Sequence, residues 1–167
     1  MDFIDSRILK SQVVLLCGTS GSGKTTFARR LEEEGFTRLS ADGIIWEHYG
    51  DDFPHLPAEE KRRAFMEVNA ELETRLARQL LEGKRVAVDA TLCKREKRDR
   101  LRKVCSCLNA EASLVWFDVA ADTLHERLAL RKGIGPDDQI VAPEQLNQYI
   151  ANFERPEPEE NPLTIRF

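Results

Sequence analysis

The stretch VVLLCGTSGSGKTT, residues 13–26, decides the fold of this chain. Its first five residues are apolar and begin with β-branched side chains, a pattern typical of a strand buried on both faces of a parallel sheet. The next eight residues match the motif GxxxxGK(S/T) in full, and an apolar helical pattern follows them. A strand, a glycine-rich loop and a helix in this order predict a loop whose backbone N–H groups bind phosphate.

The residue types of this loop indicate a site for ATP and Mg²⁺. Glycines let the backbone turn so that successive N–H groups face a phosphate, and the following helix adds its positive end. Lys24 can reach the β- and γ-phosphates, the Thr25 hydroxyl can ligate Mg²⁺, and Thr26 can bind the α-phosphate. We expect ATP rather than GTP because no NKxD-like sequence follows a later strand. The expected nucleotide-binding residues are Gly18, Thr19, Ser20, Gly21, Ser22, Gly23, Lys24, Thr25 and Thr26.

Length and composition are those of one globular domain spanning residues 1–167. The formal net charge of −4 argues against general binding to a nucleic-acid backbone, which needs a basic surface. No apolar run approaches the roughly 20 residues that cross a bilayer, and the N-terminus lacks a signal-peptide pattern, so we expect a cytoplasmic protein. The four cysteines form no CxxC pair and the three histidines are scattered, which argues against a zinc site.

Strand and helix patterns alternate along the rest of the chain. Apolar strands are predicted at 36–40, 85–89, 114–117 and 163–167, and helices start near residues 57, 94, 124 and 143. This alternation predicts a three-layer α/β fold with a parallel sheet of about five strands. The helix after Pro57 is expected to bury a stripe made of Phe65, Val68, Leu72, Leu76 and Leu80.

Two aspartates follow predicted strands at the edge of the sheet where ligands bind in such folds. Asp42 follows the second strand and can accept the proton of a phosphoryl acceptor. Asp89 ends the third strand and can hold Mg²⁺ through water or contact the acceptor, with Thr91 adding a hydroxyl. Each aspartate can also be a solvated loop carboxylate or a helix N-cap.

The motifs GTSGSGKT, LSAD at 39–42 and VAVDAT at 86–91 together resemble small P-loop kinases related to polynucleotide kinase. Kinases of the zeta-toxin and chloramphenicol phosphotransferase types are more distant relatives. The resemblance implies the strand order 2-3-1-4-5 and a general base at Asp42, with Lys24 and Thr25 on the phosphates. It also implies a substrate role for Arg98, in the helix where such proteins often carry an arginine. These polynucleotide kinases have an arginine three residues after the base, where this chain has Ile45, which puts a polynucleotide acceptor in doubt.

The segment at about residues 124–142 also resembles the arginine-bearing lid of these kinases. Arg127 and Arg131 are four residues apart and therefore lie on one helical face. In a lid they place positive charge on the transferred phosphate. The alternatives are a solvated basic face or a pair with Glu126.

Two further segments lie near the expected acceptor site. Residues 94–103 contain seven basic and two acidic residues, which fits either a surface for an anionic substrate or a solvated helix. Residues 46–55 concentrate aromatic and titratable side chains directly after Asp42, and Trp46 is either an acceptor contact or a packing anchor.

The function these features favour is transfer of the γ-phosphate of ATP to a hydroxyl group. The alternatives are an ATP-binding regulatory module and a nucleoside-triphosphate hydrolase without an acceptor. A nucleoside, an antibiotic-like metabolite, a sugar derivative and a nucleic-acid end all remain open as acceptors.

Overall fold

A parallel sheet of five strands forms the centre of the structure, a computed structural model that describes residues 4–166. The strands lie in the order β2-β3-β1-β4-β5, and each neighbouring pair is parallel. This confirms the predicted α/β fold and the order 2-3-1-4-5. Phe167, predicted to end the last strand, lies outside the described residues. The strands are β1 (Val13–Cys17), β2 (Thr37–Ser40), β3 (Val86–Asp89), β4 (Ala112–Asp118) and β5 (Leu163–Arg166).

Helices connect the strands and cover both faces of the sheet. Short 3-10 turns lie at Gly50–His55, Pro136–Asp138 and Pro158–Glu160. None of the helices in residues 4–166 has the length and apolarity needed to cross a membrane. The helices are α1 (Ser6–Lys10), α2 (Lys24–Glu33), α3 (Ala41–Tyr49), α4 (Ala58–Leu81), α5 (Arg95–Cys107), α6 (Ala121–Ala129) and α7 (Pro143–Ala151).

The two faces of β1 belong to two different apolar clusters. Val13, Leu15 and Cys17 pack with residues of α3, α4 and α5, whereas Val14 and Leu16 pack with residues of α2. All five side chains of β1 are fully buried. The strand therefore lies in the middle of the sheet with a helical layer on each side, as its uninterrupted apolar run predicts.

The buried stripe of α4 differs from the predicted one at a single position. Ala64 is buried where Phe65 was expected, and the side chain of Phe65 is 44% exposed. Ala64 lies one helical turn before Val68 on the face of α4 that meets the sheet. The side chain of Phe65 is rotated about 100° around the helix axis from that of Ala64. The Phe65 ring instead makes an edge contact with Phe53, at 5.3 Å between ring centroids.

A buried ion pair joins α5 to the segment before β5. Arg98 and Glu160 have side-chain exposures of 0% and 1% and meet through two hydrogen bonds of 2.7 and 2.8 Å. Arg98 also donates to the carbonyl oxygens of Leu92 and Glu154, each at 2.9 Å. Burial alone raises the pKa of Glu160, but the hydrogen bonds from Arg98, from the Glu157 N–H and from Arg102 outweigh it and lower the pKa to about 2. The pair thus fixes the C-terminal segment against α5.

We expect Glu160→Gln to lower the free energy of unfolding by about 3–5 kcal/mol, because it leaves the Arg98 guanidinium buried without its counter-charge. Urea denaturation at neutral pH measures this. Since the pKa of Glu160 is lower in the folded protein, its contribution is complete above about pH 4.5 and declines as the pH falls toward about 2. The variant should therefore lose less stability on acidification than the wild type.

Glu82→Gln is the matched control, because the ion pair of Glu82 with Lys84 is exposed at the surface. Its effect on the free energy of unfolding should stay below about 1 kcal/mol. Equal effects of the two substitutions would contradict a stabilising role for the buried pair.

Candidate nucleotide and acceptor site

A cleft of about 1200 Å³ opens at the carboxyl ends of the central strands. The phosphate loop, the first turn of α3, the residues after β3 and parts of α4 to α7 contribute to its walls. Gly18, Thr19 and Ser22 are buried behind its surface, within the turn of the loop. The predicted site residues that line the cleft are Ser20, Gly21, Gly23, Lys24, Thr25, Thr26, Asp42, Asp89, Thr91, Arg127 and Arg131.

The phosphate loop wraps around the ammonium group of Lys24. The Nζ atom donates to the carbonyl oxygen of Thr19 at 2.7 Å and to the Ser22 hydroxyl at 3.4 Å. Burial lowers the pKa of Lys24, while the negative charges of Asp89 and Asp42 oppose that shift. The ammonium is thus held beside the turned backbone of the loop, where a phosphate bound by the N–H groups would meet it.

Gly21 meets two requirements at once. Its φ of +81° lies in the left-handed region that side chains rarely adopt. A Cβ atom at this position would also lie 3.1 Å from the Cγ atom of Leu128 on α6. The loop therefore packs directly against the helix that carries Arg127.

Asp89 is the centre of a polar network beneath the loop. The Thr25 hydroxyl donates to its Oδ2 atom at 2.9 Å, and the Arg38 Nε donates to the same atom at 2.9 Å. Arg38 also pairs with Asp137 at 2.5 Å, and Arg29 pairs with Asp137 at 2.8 Å. Arg38 thus connects the end of β3 with the Pro136–Asp138 turn.

Sequence reasoning missed Arg38 as a residue of the site. The available signal was that it is the only charged residue in β2, a strand that is otherwise half-buried or buried. Its partner Asp137 lies 99 residues further along the chain, so no local pattern connects the two.

Thr25 and Asp89 form a donor set that fits Mg²⁺. The Thr25 hydroxyl and the Asp89 carboxylate are in direct contact. Mg²⁺ in nucleotide sites commonly takes one or two protein oxygens and completes its octahedron with phosphates and water. Residues 4–166 contain no group of three or more His, Cys, Asp or Glu side chains able to hold a metal by themselves. The metal would therefore depend on the nucleotide for most of its ligands.

Asp42 lies in the first turn of α3 because Ser40 caps that helix. The Ser40 hydroxyl accepts a hydrogen bond from the Gly43 N–H at 3.0 Å, so the chain turns directly from β2 into α3. Removal of water by the surrounding protein raises the pKa of Asp42, and the Lys24 ammonium acts in the opposite direction. Within the described chain the Asp42 carboxylate accepts no hydrogen bond, and it is open to the cleft. It is therefore a carboxylate available to a ligand.

Both arginines of the predicted lid contact the phosphate loop. An Nη atom of Arg127 lies 3.3 Å from the carbonyl oxygen of Gly21. Arg131 reaches the Ser20 hydroxyl at 3.4 Å and the carbonyl oxygen of Gln139 at 3.0 Å. These contacts place two guanidinium groups beside the atoms expected to surround the γ-phosphate.

The structure does not bring Arg98 or Trp46 to the cleft. All of the polar contacts of Arg98 are to Glu160 and to backbone carbonyls, and the residue is fully buried. This differs from the predicted substrate role, because its donors are already used to hold the C-terminal segment. Trp46 is half-buried on α3 and is not among the residues that line the cleft.

The other basic side chains of α5 and its cap are mostly paired as well. Lys94 pairs with Glu154, Arg95 with Glu159 and Arg100 with Glu73. Most of the predicted basic surface is therefore neutralised within the molecule. Lys97 is different, since it lines the cleft and makes no ion pair with any described residue.

Several solved structures share this architecture. A sugar kinase from Janibacter sp. HTCC2649 superposes with a TM-score of 0.66 at 22% identity, covering 93% of this chain and 85% of that chain. Kti12 from Chaetomium thermophilum, solved in complex with ADP-AlF3, gives 0.63 at 15% identity, covering 93% and 89%. A chain of the Pnkp1/Rnl/Hen1 RNA repair complex gives 0.63 at 21% identity, covering 84% of this chain and 43% of that chain.

The sequence itself has a family match that spans most of its length. No curated protein matches the chain. The model of an AAA domain family matches residues 13–156, from the first strand to the segment held by Arg98. The chain therefore belongs to this AAA domain family, and its fold is that of the small P-loop kinases.

Proposed function

We propose that the protein transfers the γ-phosphate of ATP to a hydroxyl group of an acceptor bound in the cleft. The observation that carries the proposal is the position of Asp42, an open carboxylate in the same cleft as a complete phosphate loop. Among proteins of similar structure are a sugar kinase and a protein solved with ADP-AlF3, which supports phosphoryl transfer with ATP as donor.

In this mechanism the phosphate loop and the N-terminus of α2 hold the triphosphate. Lys24 contacts the β- and γ-phosphates, and Arg127 and Arg131 approach the γ-phosphate from α6 and the residues after it. Mg²⁺ held by Thr25 and Asp89 would neutralise charge on the phosphates. These groups stabilise the charge that shifts to the leaving oxygen during transfer.

Asp42 accepts the proton of the acceptor hydroxyl. The acceptor oxygen forms a bond to the γ-phosphorus while the bond from that phosphorus to the β–γ bridging oxygen breaks. ADP leaves with the electron pair of the broken bond, and the proton remains on Asp42 until it is released to solvent. The raised pKa of Asp42 brings this group closer to the range in which a general base is effective.

The alternative functions use the same cleft without an acceptor. A nucleoside-triphosphate hydrolase would form ADP at the same rate with or without added alcohols. A regulatory module would bind ATP without turnover. ADP formation that requires an added acceptor distinguishes the proposed transferase from both.

We expect Asp42→Asn to lower the rate of phosphoryl transfer by about 10²–10⁴-fold, because it removes the base and keeps the side-chain shape. Single-turnover transfer at saturating ATP measures this. The wild-type rate should fall as the pH falls through the raised pKa of Asp42, since only the ionised carboxylate accepts a proton. The residual rate of the variant should lack this dependence.

Asp52→Asn is a suitable control for this experiment, because Asp52 is an exposed carboxylate in the 3-10 turn after α3. Both variants should bind ATP with nearly wild-type affinity. Transfer at the wild-type rate in Asp42→Asn would remove this residue from the mechanism.

We expect Lys24→Met to weaken ATP binding by about 10- to 100-fold, because the phosphates lose a charge-assisted contact while the aliphatic part of the side chain is kept. Isothermal titration calorimetry with ATP and Mg²⁺ measures the dissociation constant. Lys84→Met, at an exposed lysine on the surface, should leave it unchanged. Wild-type affinity in Lys24→Met would show that the Lys24 ammonium does not contact the phosphates.

We expect Arg127→Ala and Arg131→Ala to lower turnover more than they weaken ATP binding, because their cations act mainly on charge that develops during transfer. Steady-state kinetics combined with calorimetry separates the two effects. Arg166→Ala serves as the control, since Arg166 is exposed and pairs with Asp118 outside the cleft. A change in thermal stability alone, with turnover unaffected, would make the arginine concerned a structural residue.

A further inference from the structure

Lys97 occupies an unusual position among the basic residues of α5. Arg95, Arg98, Arg100 and Arg102 each form at least one ion pair with a carboxylate. Lys97 is half-buried in the wall of the cleft, yet it has no carboxylate partner and no hydrogen bond with the described residues. A lysine ammonium that faces an open cleft without a counter-charge can form a charge-assisted hydrogen bond with an anionic ligand there.

Lys97 lies at the end of the cleft formed by α4 and α5, hereafter the acceptor end. α4 and α5 pack on the face of the sheet opposite to α2, so this end lies away from the helix that follows the phosphate loop. Asn69 of α4 and Thr91 after β3 line the same cleft, and their side chains make no hydrogen bond with residues 4–166. This end therefore presents one cation and two polar groups whose hydrogen bonds are available to a ligand.

The same end also has an apolar wall. The exposed ring of Phe65 lines the cleft together with Ile45, one turn after Asp42 on α3. Tyr149 of α7 lies close enough to Asp42 that the negative charge of this carboxylate contributes to raising the tyrosine pKa, after burial. A ligand held here would place its carbon skeleton against Phe65 and Ile45 and a hydroxyl group near the Asp42 carboxylate.

We propose that the acceptor is a small hydroxylated compound that carries one anionic group, a carboxylate or a phosphate monoester, and that Lys97 binds this group. The inference rests on the proposed phosphotransferase function and assigns Lys97 as the residue that determines the acceptor. A charge-assisted hydrogen bond from the Lys97 ammonium to the anion fixes the end of the acceptor farthest from the reacting hydroxyl. Asn69 and Thr91 then bind its remaining polar groups.

A nucleic-acid end suits this site less well. A polynucleotide strand places several phosphates along the protein and is held by several basic side chains. Among the basic residues of α4 and α5, Lys97 is the one that lines the cleft, and it has no carboxylate or carbonyl partner among residues 4–166. The single positive charge of Lys97 therefore suits an acceptor with one anionic group better than a strand with several phosphates.

The test measures ADP formation from ATP with four acceptor sets at equal concentration. These are small hydroxy acids including D-gluconate and shikimate, sugar monophosphates, the corresponding neutral sugars and esters, and an oligonucleotide with a free terminal hydroxyl. We expect turnover with the first or the second set, and which of the two is active tells a carboxylate from a phosphate monoester. Equal turnover with the neutral set, or a preference for the oligonucleotide, would overturn the inference.

Substitution of Lys97 provides the second arm of the test. Lys97→Met should raise the KM for the active acceptor by about 10- to 100-fold and leave the KM for ATP unchanged, because one charge-assisted contact is lost at the acceptor end only. Lys97→Arg should restore most of the acceptor affinity. Lys103→Met is the matched control, since Lys103 is an exposed residue of α5 outside the cleft. An unchanged acceptor KM in Lys97→Met would contradict the assignment.

Failure of the acceptor inference is distinguishable from failure of the proposed function. If Asp42→Asn abolishes transfer but Lys97→Met leaves the acceptor KM unchanged, only the role of Lys97 is wrong. If none of the four sets yields acceptor-dependent ADP, the ADP-bound protein is titrated with D-gluconate and with glucose 6-phosphate by calorimetry. Binding that is lost in Lys97→Met then upholds the anion site without the transferase, and no binding overturns the anion site as well.

Discussion

The complete burial of β1 is the constraint on which the rest of the structure depends. A strand with no exposed side chain must lie between two other strands and under helices on both faces. The phosphate loop therefore begins at the centre of the sheet, next to the end of β3. The register places Leu16 beside Asp89, which brings this carboxylate within hydrogen-bond distance of Thr25 in the helix after the loop. The geometry of the nucleotide site thus follows from the packing of five apolar residues.

The parts of the fold that depend on local patterns were predictable from the sequence. The strands, the phosphate loop and α4 each follow from hydrophobic periodicity and from glycine and proline positions. The short α3 was not predicted, because aspartate and glycine at positions 42 and 43 both have low helix propensity. In the structure the Ser40 cap and the buried Ile44 and Ile45 outweigh that preference.

The candidate site was predictable where a motif defines the residues, and unpredictable where distant residues meet. The family resemblance implied a substrate role for Arg98 because of its position on the chain. Its actual partner, Glu160, lies 62 residues away, and nothing in the local sequence of either residue indicates the pair. Basic residues of α5 likewise pair with acidic residues of α4 and of the C-terminal segment. These pairs decide which basic residues can still bind a ligand. Tertiary contacts, rather than the count of charges, therefore determine that Lys97 is available.

The close approach of Gly21 to Leu128 has a mechanical consequence. Because a Cβ atom at position 21 would already lie 3.1 Å from Leu128, the loop backbone and α6 are in close contact, and α6 can move away only by opening a gap in the packing. Leu124 and Leu128 also pack with Leu146 of α7, which holds α6 from the other side. The connection between α6 and α7 turns at glycines 133 and 135, which have positive φ angles, and is held to β2 and α2 through the pairs of Asp137 with Arg38 and Arg29. The packing therefore favours a position of Arg127 beside the phosphate loop that is set by apolar contacts of its own helix.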